Sequence, residues 1–488
     1  MSEKVKSKSV RIALDDVPFG PEGVLEDRKV KEIPLPEGVS SPTMYKDVAR
    51  LAWPSLVELT LTQLASMVDL MMVGNLGAWA LTSIGLTNQP KMMLCTVYQA
   101  LNVGATAMVA RYKGAGQQEK AREILRIALF INLFLSLICA AVGYLFAEPL
   151  VAFMGAQETA TLVGGTQYLQ IQMIGLPFLA LTFTITGALR GAGNSRTAMI
   201  YNTLANGVNV VLNWLLIEGH LGFPRLEVVG ASLATIIGQT VACIYAFIAV
   251  TRKSQYICLD FRKSFLPRRE PVRDIIRVGL PSMVEQVCMR VGVIIFSKTI
   301  ASLGTVQMAI HQIAMNIHAL TFMNGQAFSV SSTSLVGQSL GKRRSDMAIH
   351  YSKRTQHLGM ICSAVIALGC FFFGEQVVAL YNDDPEIVRV GGQLLKMIAL
   401  IQPIQAAQFI LSGALRGAGD TKYTAKVIIY TVMLLRPILG IILVTKLGFG
   451  LYGAWFTLIA DQILRSVLIL RRYNAGSWIN ALADHKTR

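Results

Sequence analysis

The heptapeptide Gly187-Ala-Leu-Arg-Gly-Ala-Gly193 returns as Gly413-Ala-Leu-Arg-Gly-Ala-Gly419, 226 residues further along the chain. Pro177 returns as Pro403 at the same offset. Pro54-Ser55 with Glu58 returns as Pro281-Ser282 with Glu285, and Leu76-Gly77 as Leu303-Gly304, each 227 residues later. Gly114 and Ala121 return as Gly341 and Ala348. An offset that drifts by a single residue over so long a stretch marks a duplicated unit.

Hydropathy says what that unit is. Of the 488 residues, 53% are hydrophobic and 15% charged, against about 25% charged in an average soluble domain. A bilayer-crossing helix needs about 20 mostly apolar residues. Ile127–Ala147, Val228–Val250 and Thr355–Gly374 meet this without one Asp, Glu, Lys or Arg. Nine further stretches meet it when isolated ionisable residues are allowed. The predicted spans lie near 50–73, 80–110, 123–146, 166–189, 197–217, 229–251, 275–299, 307–337, 355–376, 393–415, 424–445 and 450–470. The expected fold is therefore all-α, with twelve transmembrane helices in two six-helix lobes. Six is even, so both copies insert with one orientation, and parallel repeats of this kind are a feature of secondary transporters.

The net charge of +16 would suggest nucleic acid in a soluble chain, but its distribution follows the spans. Of the 45 Lys and Arg, 37 fall in alternate connections and the two termini, and only Arg225, Arg389 and Lys446 fall on the other side. The positive-inside rule makes the basic side, and both termini, cytoplasmic. The predicted organisation is a disordered tail over 1–48, lobes over 49–255 and 275–473, a cytoplasmic linker over 256–274 and a C-terminal tail over 474–488. The seven cysteines form no C-x-x-C pair, so neither a disulfide framework nor a zinc site is indicated.

Ionisable groups inside spans are costly and are read first as functional. Glu58 and Asp69 on the first span are eleven residues apart and share a helix face, about 16 Å apart along the axis. Asn202, Asn206, Asn209 and Asn213 on the fifth span also share one face, which must pack on helices or line a cavity. Lys91 falls mid-span, where it either neutralises Asp69 or faces a cavity. Arg436 and Asp461 suit a buried ion pair between the last two spans. His311 and His318 share a face of the eighth span, and Glu285 is the repeat partner of Glu58. The Gly-Ala-Leu-Arg-Gly-Ala-Gly segments follow no strand, so they read as tight helix exits with an Arg anchored at headgroups. No Walker A sequence supplies an ATP-driven pump. No paired acids, metal cluster or nucleophile–base pair points to an enzyme.

In this frame the chain resembles the multidrug and toxic compound extrusion (MATE) family. The resemblance rests on Val73-Gly74-Asn75-Leu76-Gly77, Ala110-Arg111 with Gly114-Ala115-Gly116, both heptapeptide exits with Asn194 and Asp420, and Asn209 with Asn213. It continues through Val229-Gly230-Ala231, Thr235, His311-Gln312, Val336-Gly337-Gln338, Arg436-Pro437 and Trp455, and covers residues ~45–480. The resemblance implies a two-lobed carrier that exports amphipathic, often cationic compounds against an inward flow of Na+ or H+ by alternating access. It assigns Asp69, Asn209, Asn213 and Thr235 to a coupling-cation or proton site, with Glu285 as a second acid. Many relatives carry a carboxylate where Asn213 stands. Glu58, Lys91, Tyr98, Asn102, Met173, Arg290, His311, Phe322 and Met323 are the residues assigned to the substrate cavity. The expected partners are a small-molecule substrate and membrane lipids, with no nucleic acid, no cofactor, no metal beyond a possible Na+ at Asp69, and a monomer in the plasma membrane. The competing reading is a flippase or exporter of a lipid-linked or anionic metabolite, to which Lys91 and Arg290 lend the positive charge.

Overall fold

A computed structural model describes residues 14, 35, 38–156, 158–252 and 255–481, without the side chains of Ala78 and Thr305. The expected N-terminal tail lies mostly outside the described residues, as does 482–488 of the C-terminal one. Every long element is a helix. In chain order they are α1 Ser41–Gly74, α2 Ala78–Gly114, α3 Gln118–Leu145, α4 Thr159–Gly191, α5 Ser195–Ile217 and α6 Glu227–Thr251. The second series is α7 Arg269–Ala301, α8 Thr305–Gly341, α9 Ser345–Ala379, α10 (Pro385–Ala399 bent by 52° into Gln402–Ala418), α11 Thr421–Lys446 and α12 Gly450–Asn474.

Among the described residues, nine of these helices are long and apolar enough to cross a membrane, and the bent α10 makes a tenth. The remaining two, α5 and α8, are long enough but carry polar rows, the four asparagines on α5 and Ser329, Ser331, Ser332, Thr333, Ser334 and Ser339 on α8. Those serines and Thr333 are buried, so the polar face of α8 is covered by neighbouring helices, α9 and α10. Twelve spanning helices result. At about 1.5 Å per residue, the 37-residue α2 and α8 exceed the ~30 Å hydrocarbon thickness and must tilt or overhang.

The chain forms two compact units. The first is Val57–Met283, and the second is Ile12–Leu56 together with Val284–Arg488. In the first unit α4 is central, packing on α2, α3 and α6, with α5 on α6. In the second, the Gln402–Ala418 half of α10 plays the same part against α8, α9 and α12. The heptapeptide glycines explain these two centres. A Cβ at Gly187 or Gly191 would stand 2.6 Å from Thr106 Oγ1 or Thr106 O on α2. At Gly413 or Gly417 it would stand 2.4 Å from Ser329 O or Thr333 O on α8. Each repeat thus holds a G-x-x-x-G face, whose missing side chains let two helix backbones touch. The exits read from the sequence are present as well. Gly193 (φ 81°) and Gly419 (φ 87°) turn the chain in the left-handed region.

Pro54 and Pro281 sit inside α1 and α7, each a few residues before the chain passes from one unit to the other. The basic segment after α6 is tied to the first unit: Gln118 Nε2 donates to Tyr256 O at 2.8 Å, and Lys263 bonds Glu119. That ammonium, with Arg122, holds the Glu119 carboxyl below its ordinary range. In the second unit α11 widens into π-helix at Ile429–Leu435 and again at Ile442–Lys446, on either side of Arg436–Ile441. Such widened turns concentrate at functional positions.

Candidate functional site

The first unit brings α1 and α5 together along matched polar rows. α1 presents Glu58, Thr62, Ser66 and Asp69, and α5 presents Asn202, Asn206, Asn209 and Asn213. Asn202 Nδ2 donates to Glu58 Oε1 at 2.6 Å, Asn206 Nδ2 to Thr62 Oγ1 at 2.8 Å, and Asn213 Nδ2 to Asp69 Oδ1 at 2.5 Å. All three pairs are separated by 144 residues. A constant separation means parallel helices in one register, as two odd-numbered spans should be. Asn209 completes the outer rung. With its nitrogen turned to Asp69 it donates to Oδ1 at 3.2 Å and Oδ2 at 3.0 Å, and its oxygen accepts from Thr235 N at 3.1 Å.

The four residues assigned to one site from the sequence, Asp69, Asn209, Asn213 and Thr235, are therefore neighbours. In this arrangement both amides donate to the Asp69 carboxylate, which ionised can only accept. Asn213 Oδ1 is buried with no hydrogen-bond partner. That orphan acceptor, the two Asp69 oxygens and the Thr235 hydroxyl form an oxygen set of the kind a hard cation takes. Amide rotation exchanges donor for acceptor without moving a helix.

Lys91 does not bond Asp69 in this structure. Its Nζ donates to Gln172 Oε1 at 2.7 Å, and Gln172 Nε2 donates to Ser232 Oγ at 3.2 Å. Lys91 is thus tethered to Gln172 on α4 and makes no direct pair with Asp69 in this structure.

The Glu–Arg pairs were not read from the sequence. Arg190 NH2 lies 2.7 Å from Glu58 Oε2, and Arg416 bonds Glu285, whose other oxygen accepts from Thr424 Oγ1 at 2.8 Å. These are the arginines of the two heptapeptides. Instead of reaching headgroups, each closes on the first helix of its own repeat. The signal available was the joint recurrence of acid and guanidinium, at offsets of 227 and 226. Glu285, expected as a second coupling acid, is ion-paired with Arg416 in the second unit. At the positions 227 residues after Asp69 and Asn209 the second unit has Phe296 and Arg436. Arg436 lies over the Phe296 ring at 5.8 Å and bonds Asp461, which also accepts from Arg465 at 2.5 Å. The expected Arg436–Asp461 pair is present, with a second guanidinium that the sequence reading did not include.

Several side chains expected at a cavity wall are packed inside the units. Tyr98 and Met173 are fully buried in one apolar cluster with Cys95 and Leu176. Their bulk fills the space between α2 and α4. Asn102 is buried and accepts from Asn132 Nδ2 at 2.7 Å. His311 is buried edge-on to Trp455 at 5.9 Å and Phe296 at 6.4 Å. Phe322 stacks on Phe409 at 5.7 Å beside Asn324, Gln402 and Gln405. Arg290 and Met323 are half-buried on α7 and α8.

Comparison with known proteins agrees with this arrangement. The MatE family model matches residues 54–215 and 281–442, more than half of the chain and one match per repeat. The chain is 28% identical over 438 residues to the "Probable multidrug resistance protein NorM" of Thermotoga maritima, covering 90% of this chain and 94% of that protein. It is 26% identical to the "Uncharacterized transporter YisQ" of Bacillus subtilis, covering 88% of this chain and 94% of that one. Among solved structures, a MATE protein in complex with MaL6 superposes with a TM-score of 0.83 at 23% identity, over 90% of this chain and 97% of that chain. A MOP superfamily transporter from Pyrococcus furiosus superposes with a TM-score of 0.83 at 22% identity, over 92% and 99%. With its duplicated six-helix unit and a family match in each copy, the chain belongs to the MatE family of multi-pass membrane transporters.

Proposed function

We propose that the protein is a secondary antiporter of the plasma membrane that exports amphipathic, cationic drugs or toxins in exchange for Na+ or H+. The observation that carries this reading is the Asp69 cluster: one carboxylate inside a spanning helix, with two rotatable amides donating to it and an orphan oxygen beside it. A carboxylate so placed changes state when a cation arrives, because the amides that donate to the free anion must turn to offer oxygen. That coupling of occupancy to the packing of α1 on α5 is what an exchanger needs. The relatives named for multidrug resistance support the cargo class. The basic side, with both termini, is cytoplasmic, and the monomer is the working unit.

The test is a fluorescent cationic dye followed in liposomes holding purified protein, under a sodium gradient and, separately, a proton gradient. Dye movement driven by one gradient, falling at least about tenfold in Asp69→Asn, is the expected result. Equal movement in Asp69→Asn removes the coupling role. Lys91, an ammonium tethered beside the site, favours a second reading with an acidic or lipid-linked cargo. Movement of an anionic probe but not the cationic dye selects it.

A further inference from the structure

The polar rows of α1 and α5 continue past Asp69, and among the described residues the second unit has no equivalent row. Between Asp69 and Glu58 the α1 row is Ser66 and Thr62, whose hydroxyls hydrogen-bond Thr62 O at 3.0 Å and Glu58 O at 2.8 Å. Both are exposed although they lie within a spanning helix. The Asn206 amide that donates to Thr62 Oγ1 has further polar atoms to satisfy, so this stretch of the row meets water or protein rather than lipid. In α7 the same three places are Met289, Val293 and Phe296, so only the acid–guanidinium end of the row was kept. A purely architectural zipper between the first and fifth helices would serve both repeats. A conducting one is needed only where a cation is handled.

At the end of the row stands a second acid, Glu58. Glu58 is buried, its Oε1 is taken by Asn202, and Arg190 stands 2.7 Å from Oε2 without hydrogen-bond alignment, so that Oε2 has no aligned donor. Glu58 lies about 16 Å nearer the basic end than Asp69.

We propose that Glu58 is the release-side acid of the transport cycle, receiving the coupling cation from Asp69 along the Ser66–Thr62 and Asn206–Asn202 row before it leaves at the basic face. This rests on the antiport reading above. If the cation is a proton, the O–H bond on Asp69 breaks and one forms on Glu58 Oε2, with water along the exposed hydroxyls carrying it between. The two carboxyls together keep the same net charge. If it is sodium, the ion moves between the same oxygens. As the cation departs, Arg190 closes on the bare carboxylate and blocks return.

The experiment varies the cation separately on the two faces of liposomes holding the full chain in known orientation, with proton and sodium arms that name the ion. Raising it at the basic face slows export by the wild type. In Glu58→Gln the concentration giving half inhibition at that face rises about tenfold, while half activation from the opposite face shifts less than about twofold. Shifts of equal size on both faces, or a lower maximal rate with no shift, reduce Glu58 to a structural ion pair and overturn the proposal. The double variant Thr62→Val/Ser66→Ala leaves the ion pair intact. It shows the same one-sided shift, about threefold, and its absence also overturns the proposal if Glu58→Gln does not fold. A wild type that exports under neither gradient overturns the antiport reading and the relay together.

Discussion

At the scale of single residues, the two units treat charge differently. Asp69 is left with movable partners, whereas Asp461 is fixed by Arg436 and Arg465. In the second unit Arg436 stands within one residue of the repeat partner of Asn209, and a permanent cation is built in. Asp461 is fully buried, and both arginines are almost so. Removing the carboxylate leaves two guanidiniums uncompensated in a low-dielectric core. Asp461→Asn is therefore expected to destabilise the protein by about 3–5 kcal/mol, the usual cost of breaking a buried pair. A lowered unfolding midpoint in detergent micelles checks it; an unchanged midpoint would mean that the guanidiniums find other partners. Asp69→Asn carries the opposite expectation. Its partners are neutral amides, and an asparagine there still hydrogen-bonds them, so transport is lost while the midpoint stays.

At the scale of helices, the heptapeptide shows what a sequence reveals and what it withholds. Its recurrence made the duplication legible, and the spacing of apolar runs gave the twelve spans. The helical period put Glu58 and Asp69 on one face and four asparagines on another. That α1 and α5 face each other in the matching register was not legible, because register between distant helices is set by packing, not by either sequence alone. The arginines differ from expectation for the same reason: Arg190 and Arg416 sit at helix ends, where snorkelling to headgroups is the local expectation, and only tertiary contact turns them inward. The widening of α11 around Arg436 has no sequence cue. The glycines were half-read, as exits but not as contact points. Their role leads to a sharp expectation. At Gly417 a methyl group would meet Thr333 O at 2.4 Å, and backbone in the middle of a packed helix pair cannot give way cheaply. Gly417→Ala should cost about 1–3 kcal/mol, the range for overpacking. Gly207→Ala, with open space around it, serves as the control and should leave the unfolding midpoint unchanged.

At the scale of the whole molecule, a release-side acid has meaning only with an orientation. Thirty-seven of 45 basic residues lie on one side of the twelve spans. Such a bias sets topology through short loops flanking the spans. The structure supplies one exposed residue on each side to test it. Leu221, in the connection from α5 to α6, is 82% exposed. Lys263, in the basic segment before α7, has a side chain 48% exposed. In a background freed of the seven native cysteines, Leu221→Cys should react with a membrane-impermeant maleimide in intact cells. Lys263→Cys should react only after the membrane is opened. The reverse pattern would place the basic face outside, making Glu58 the entry acid and Asp69 the exit, and would overturn the release-side assignment of Glu58.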